Sequence, residues 1–361
     1  MPTRSDKPGS VDEILDWLSQ GRLTSAEAFS WLRALDRPDA APRPRHHRGW
    51  LPPTVPSGTA KPRSNGAENG SSTGREGGDK AQEDEEAVRR RRLQEVMDEL
   101  DGLIGLRTVK QLMREVQAYV EVQRLRAKEN LAADAVTLHM VFKGNPGTGK
   151  TTVARLVGRM LAAMGALPKG HLVECERADL VGEYIGHTAQ RTREQVRKAM
   201  GGVLFIDEAY ALARGGEKDF GKEAIDTLVK AMEDHKNEFV VILAGYRAEM
   251  DYFLMTNPGL RSRFPIHVDF PDYTAQELLE IARYFCAQRE YRLSPAAERR
   301  LEQLLETRRA DDPYEGNARF VRNLVERAIR RQALRLVRRP RVSREELMTL
   351  EASDFWEAAD G

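Results

Sequence analysis

Cysteine is nearly absent from this 361-residue chain: Cys175 and Cys286 are the only two, in different segments and without C-x-x-C spacing. That argues against a disulfide framework or a cysteine-based zinc module, and makes a reduced, cytoplasmic setting the expectation. The seven histidines show no H-E-x-x-H or comparable spacing, so no structural metal is expected. No run approaches the roughly 18–20 apolar residues of a membrane span, and the N-terminus lacks the apolar core of a secretory leader. Net charge is equally scant. With 57 Lys and Arg against 56 Asp and Glu, the balance of +1 supplies no global field to favour nucleic acid or a membrane.

What is there falls into blocks. Residues 10–36 read as a helical hairpin. Ser10 with Glu13 and Thr24 with Glu27 fit the capping box, Gly21 separates the halves, and each half carries an apolar stripe. Two short helices bury little surface, so this unit is expected to dock or self-associate. Residues 37–87, six prolines followed by Gly, Ser and charge, read as a disordered linker. Order is expected to resume at 88–99 and to continue into a long amphipathic helix over about 108–128. Strand-like runs at 136–143, 171–175, 203–206, 239–244 and 266–270 then alternate with helical patterns. That alternation predicts an α/β domain over 96–270, a parallel sheet with covering helices. Beyond Pro271 only helical patterns follow, opened by Thr274 with Glu277, by Ser294-Pro295 and by Ser343 with Glu346, and by a helix over about 318–337. An all-helical lid over 271–361 is the expectation.

The most specific chemistry begins at Gly144-Asn145-Pro146-Gly147-Thr148-Gly149-Lys150-Thr151, a G-x-x-x-x-G-K-T loop between a strand and a helix. Backbone N–H groups and a helix N-terminus point at an anion there, and Lys150 adds charge near the β- and γ-phosphates. The apolar run Val203-Leu204-Phe205-Ile206 ends in Asp207-Glu208. Acids at the carboxyl end of a central strand sit where open α/β sheets bind ligands. Thr151 and Asp207 are suited to hold Mg2+, and Glu208 to orient and polarise the attacking water.

An α/β nucleotide domain followed by a helical lid is the layout of AAA+ ATPases. The chain from about residue 100 to 355 resembles the stage V sporulation protein K and CbbX (red-type Rubisco activase) family, with the sporulation branch the nearer. The resemblance is carried by the phosphate loop through Thr152, by residues 179–188 and 201–210, and by Asn257-Pro258-Gly259-Leu260-Arg261-Ser262-Arg263-Phe264. It implies ATP and Mg2+ as cofactors and a ring, usually a hexamer, with nucleotide at subunit interfaces. It also implies that Arg263, rather than Arg261, is the arginine acting on a neighbour's nucleotide. Arg319 would be the lid's contact to the γ-phosphate, and Leu103 and Ile104 would line the adenine pocket. The residue after the fourth strand departs from the usual Asn or Thr sensor; Tyr246 stands nearby instead.

The resemblance further implies an axial pore loop at Gly182-Glu183-Tyr184-Ile185-Gly186, whose tip Tyr184, Ile185 and Gly186 would grip an extended peptide. The implied function is an ATPase that remodels an unidentified protein substrate, linked to sporulation. Activation of red-type Rubisco is the alternative within the class, and a nucleic-acid-associated loader the alternative outside it. The arginines at 319, 322, 327, 330, 331, 335, 338 and 339 are expected to form a solvated lid face rather than a nucleic-acid surface.

Overall fold

The computed structural model describes residues 75–131, 137–184, 186–214, 220–311 and 316–355. The hairpin expected at 10–36, most of the linker, and Ile185 lie outside these residues. The chain divides into two units, Met1–Val88 and Arg89–Gly361. The second holds the fold described below.

Helix α1, Arg75–Asp101, starts inside the stretch read as linker. Absence of apolar residues suggested disorder there, but Glu, Gln, Ala and Arg are strong helix formers. Helix α2, Arg107–Lys128, matches its expected amphipathic pattern and buries Val109, Met113, Val116 and Val120.

Five strands follow: β1 Met140–Gly144, β2 Leu172–Cys175, β3 Val203–Ile206, β4 Val240–Gly245 and β5 Ile266–Phe270. They form one sheet in the order β2-β3-β4-β1-β5, and every neighbouring pair is parallel. The first ladder begins at Met140 instead of 136. The Val241 amide donates to His139 Nδ1 at 3.0 Å, so a side chain, not a ladder carbonyl, meets that group. β1, β3 and β4 are buried at every position, as strands covered on both faces must be.

Alternation along the strands sends side chains into two separate cores. Met140, Phe142, Val203, Phe205, Ile242 and Phe270 pack with α2, with α3 (Lys150–Ala163) and with the lid. Val141, Leu204, Ile206, Val241 and Leu243 pack on the other face. Helices α5 (His187–Ala199), α6 (Gly221–Asp234) and α7 (Arg247–Thr256) cover that side; α4 (Arg177–Leu180) and α8 (Pro258–Arg261) are single turns. Phe142 has no exposed surface, and truncating such a side chain costs about 3–5 kcal/mol.

The lid comprises α9 (Ala275–Ala287), α10 (Pro295–Asp311), α11 (Asn317–Val337) and α12 (Arg344–Met348). Thr274 with Glu277 and Ser343 with Glu346 form the reciprocal caps expected from their spacing. One addition was not legible: Arg292–Leu293 and Thr349–Leu350 pair as a two-residue parallel ladder. Two residues are too few to show a period.

Candidate functional site

The strand order sets β3, β4 and β1 side by side, so the loops at their carboxyl ends converge on one edge. After β1 the chain turns through the phosphate loop into α3. Gly147 and Gly149 hold positive φ of 74° and 96°, which aim successive backbone amides toward the same point. Gly149 caps α3 without any side-chain bond, leaving the first amides of that helix available. Lys150 Nζ donates to the carbonyls of Gly144 and Asn145 at 2.8 and 2.9 Å, curled over the loop. Burial lowers the pKa of its ammonium, nearby Asp207 pulls it back up, and Arg319 depresses it further.

A cleft of about 910 Å3 opens at this edge. Gly144, Pro146, Gly147, Gly149, Lys150, Thr151 and Thr152 line it, together with Asp207, Glu208, Leu103, Ile104 and Arg319. The residues expected to contact the chain's own nucleotide are thus gathered in one place, except two of the phosphate loop. Asn145 and Thr148 are absent from the lining: the Asn145 amide is bound to Asp272, and the buried Thr148 hydroxyl donates to Asn145 O at 2.8 Å. These two shape the loop.

Glu208 has a left-handed φ of 46°, and its N–H donates to Asp207 Oδ1 at 3.0 Å. That turn brings adjacent carboxylates to the same cleft. Leu103 and Ile104 line the cleft from the 101–106 segment, which is folded by Lys110 Nζ donating to the carbonyls of Asp101 (3.0 Å) and Leu103. Ile281, Tyr284 and Phe285 of the lid line the cleft too, giving it an apolar end beside the phosphate loop. Tyr246, after β4, also reaches the cleft.

The lid arginines, expected on a solvated face, divide: most are exposed, two of these at the cleft, and one is tied inward. Arg319 and Arg322 line the cleft, and Arg335 is tied to buried Asp354 by bonds of 3.0 and 2.8 Å. Arg327, Arg330, Arg338 and Arg339 are exposed as expected. Arg322, Tyr273, Tyr284 and Phe285 were missed as cleft residues; only the i, i+3 spacing of Arg319 and Arg322 hinted at a shared direction.

Two expected residues lie elsewhere. Arg263 does not line the cleft; it pairs with Glu233 at 2.8 Å and donates to Gly259 O at 2.8 Å. Tyr184 is 66% exposed, with its ring 5.6 Å edge-on to His187, on the connection after β2. Gly186, two residues on, is the N-cap of α5 with a φ of 84°, and a Cβ added there would meet open space.

The donor set fits a magnesium nucleotide. A half-buried lysine and free amides suit phosphates, whereas one hydroxyl and one carboxylate suit an ion that keeps several waters. Among the described residues no three His, Cys, Asp or Glu side chains gather as a metal site, and a magnesium nucleotide needs no such cage.

Parallel order, phosphate loop, paired acids and lid together define a P-loop ATPase with a helical lid. Residues 140–272 match the ATPase family associated with various cellular activities, AAA, and residues 274–361 match the AAA lid domain. The chain belongs to this AAA+ ATPase family, in the branch of stage V sporulation protein K and CbbX. It is 55% identical over 265 residues to "Stage V sporulation protein K" of Bacillus subtilis, covering 73% of this chain and 82% of that protein. "Ribulose bisphosphate carboxylase/oxygenase activase, chloroplastic" of Cyanidioschyzon merolae is 48% identical over 73% of this chain and 91% of its own length. "Protein CbbX" of Cereibacter sphaeroides is 51% identical over 67% and 79%. No helix among the described residues is long and apolar enough to cross a membrane.

Proposed function

We propose that this ATPase works as a homo-oligomeric ring, a hexamer in the simplest case, that hydrolyses Mg-ATP and remodels a protein substrate drawn through its axial pore. When bound, Mg-ATP supplies the phosphoanhydride to be cleaved. Lys150, now on its loop carbonyls, would hold the phosphates, Thr151 and Asp207 would hold the metal, and Leu103 and Ile104 would hold the adenine. Glu208 orients the attacking water and accepts its proton, at the carboxyl edge where Asp207 fixes its backbone. Arg319 reaches the cleft from the lid of the same chain. Arg263, outside its own cleft, acts on the neighbour's nucleotide, which is why a ring is required.

The observation that carries the remodelling reading is Tyr184: a large ring, mostly exposed, on a glycine-flanked loop away from the cleft. An exposed aromatic at such a tip is suited to wedge against an extended peptide with little sequence preference. Tyr184→Ala is expected to keep ATP binding, assembly and basal hydrolysis, and to lose remodelling of the substrate. That substrate is to be identified by trapping with Glu208→Gln and mass spectrometry. Wild-type remodelling by Tyr184→Ala would remove this residue from the gripping role, and failure to assemble would mark it as structural.

The 55% identity to a protein named for sporulation supports a sporulation-linked role. A second reading, activation of red-type Rubisco, draws support from the 48% identity to a protein named as an activase. ATPase stimulation by ribulose bisphosphate with inhibited Rubisco would favour the second; stimulation by DNA would favour a nucleic-acid loader over both.

A further inference from the structure

One carboxylate joins the phosphate loop to the lid. Asp272 lies two residues beyond β5. Its two oxygens accept from Asn145 Nδ2 at 3.0 and 2.9 Å, and one also accepts from Asn317 Nδ2 at 2.7 Å. The Asn317 amide is used at both ends: Oδ1 accepts from Tyr273 N at 3.0 Å, and Nδ2 also reaches Pro146 O at 3.3 Å. Asn317 is buried and has a φ of 40°, a conformation that Asn tolerates better than most residues. Around this centre Ala318 N donates to Gly147 O at 3.2 Å, and Tyr273 Oη donates to Thr148 O at 3.3 Å.

Arg319 follows two residues after Asn317 and enters the cleft. Its helix has no cap of its own, because Gly316 stands at the N-cap and offers no side chain. The direction in which α11 leaves the cleft therefore depends on what grips Asn317. Charge adds to the need for a grip. Lys150 and Arg319 are close enough to repel, and Asp272 is close enough to Lys150 to oppose that repulsion.

We infer that Asp272 is a positioning residue for Arg319: through Asn317 it fixes the start of α11, and through Asn145 it ties that start to the phosphate loop, so that loop and lid respond to nucleotide as one piece. The inference rests on reading Arg319 as the lid's contact to the nucleotide. It goes beyond that reading by naming the device that sets the arginine's place and transmits loop movement to the lid.

The test is a set of full-length variants assayed for steady-state ATP turnover and for ADP affinity. Asp272→Ala is expected to lower kcat by about tenfold, less than the roughly hundredfold of a group misplaced by about 1 Å, with a much smaller change in ADP affinity. A merely structural role would weaken ADP binding and turnover together. Asn317→Asp sets two carboxylates face to face and is expected to be slower still. The exchanged pair, Asp272→Asn with Asn317→Asp, restores one charged–neutral bond and is expected to recover turnover well above Asn317→Asp alone. Wild-type kcat in Asp272→Ala overturns the inference, as does an exchanged pair no better than Asn317→Asp. Should Asp272→Ala fail to fold, the comparison with the exchanged pair decides. Arg319→Ala is the reference. Wild-type turnover there sinks the reading of Arg319 itself, whereas a slow Arg319→Ala beside a wild-type Asp272→Ala sinks only the role of Asp272.

Discussion

Gly147→Ala is the sharpest test of how closely the lid rests on the phosphate loop. Gly147 has a φ of 74°, where an L side chain costs about 1–2 kcal/mol. The added Cβ would overlap the Gly316 carbonyl oxygen and come within 2.9 Å of Arg319 N. Both are backbone atoms, so no rotamer change relieves the clash; the start of α11 must back away. Losing the bond from Ala318 N to Gly147 O adds about 1 kcal/mol. Together these lower stability by about 2–3 kcal/mol and Tm by roughly 3–6 °C for a unit of this size. The retreat needed is about 1 Å, the scale at which a misplaced group costs about a hundredfold in rate. Gly165→Ala is the control: its φ of 75° carries the same strain, but the nearest atom is the end of the Arg89 side chain at 3.5 Å. The assay is steady-state ATPase with a thermal melt for both variants. Gly147→Ala should lose turnover far beyond Gly165→Ala at comparable loss of Tm. Equal turnover in the two would refute close packing of the lid on the loop.

Glu208→Gln should keep ATP binding and lower turnover by about a hundredfold or more, the scale of losing a general base; near-wild-type turnover would assign the water to another residue. Arg263→Ala should stop hydrolysis while ATP still binds, and adding Glu208→Gln subunits, which bring an intact Arg263, should restore part of it; no rescue in confirmed mixed rings would refute action in trans. His139 is buried between Phe239 and Phe264, and burial pushes its pKa down to about 4 from an ordinary 6.5. The unfolded chain then takes up the proton first as pH falls, so stability is full above about 6.5 and drops by about 3 kcal/mol on the way to pH 4. His139→Asn, which keeps an acceptor for the Val241 amide and does not titrate, should flatten that part of the pH–stability curve; an unchanged slope in urea melts would exclude His139 as its source.

The sequence by itself determined the parts whose chemistry is local. A glycine loop ending in Lys150-Thr151 forms its cradle within a few residues. Asp207-Glu208 follows a strand whose four apolar residues announce burial on both faces. Capping boxes at Thr274 and Ser343 operate over a single turn. For the same reason four of the five strand positions and the helices α2 and α11 were legible to within a residue or two, because periodicity is a local property; the start of α1, with no apolar stripe to mark it, was not. Only the tertiary structure decided which side chains meet across the chain. Asn145 and Asp272 are 127 residues apart, and nothing periodic relates them. The lid arginines look alike in sequence, yet the rotation of α11 sends Arg319 and Arg322 into the cleft, Arg335 to Asp354, and Arg327, Arg330 and Arg338 to solvent. Arg263 could be recognised by its motif, but its position outside its own cleft, paired with Glu233, depends on where α6 and the turn before β5 pack. Each of these is a through-space relation created when the two faces of the sheet were covered, and chain order carries no record of it.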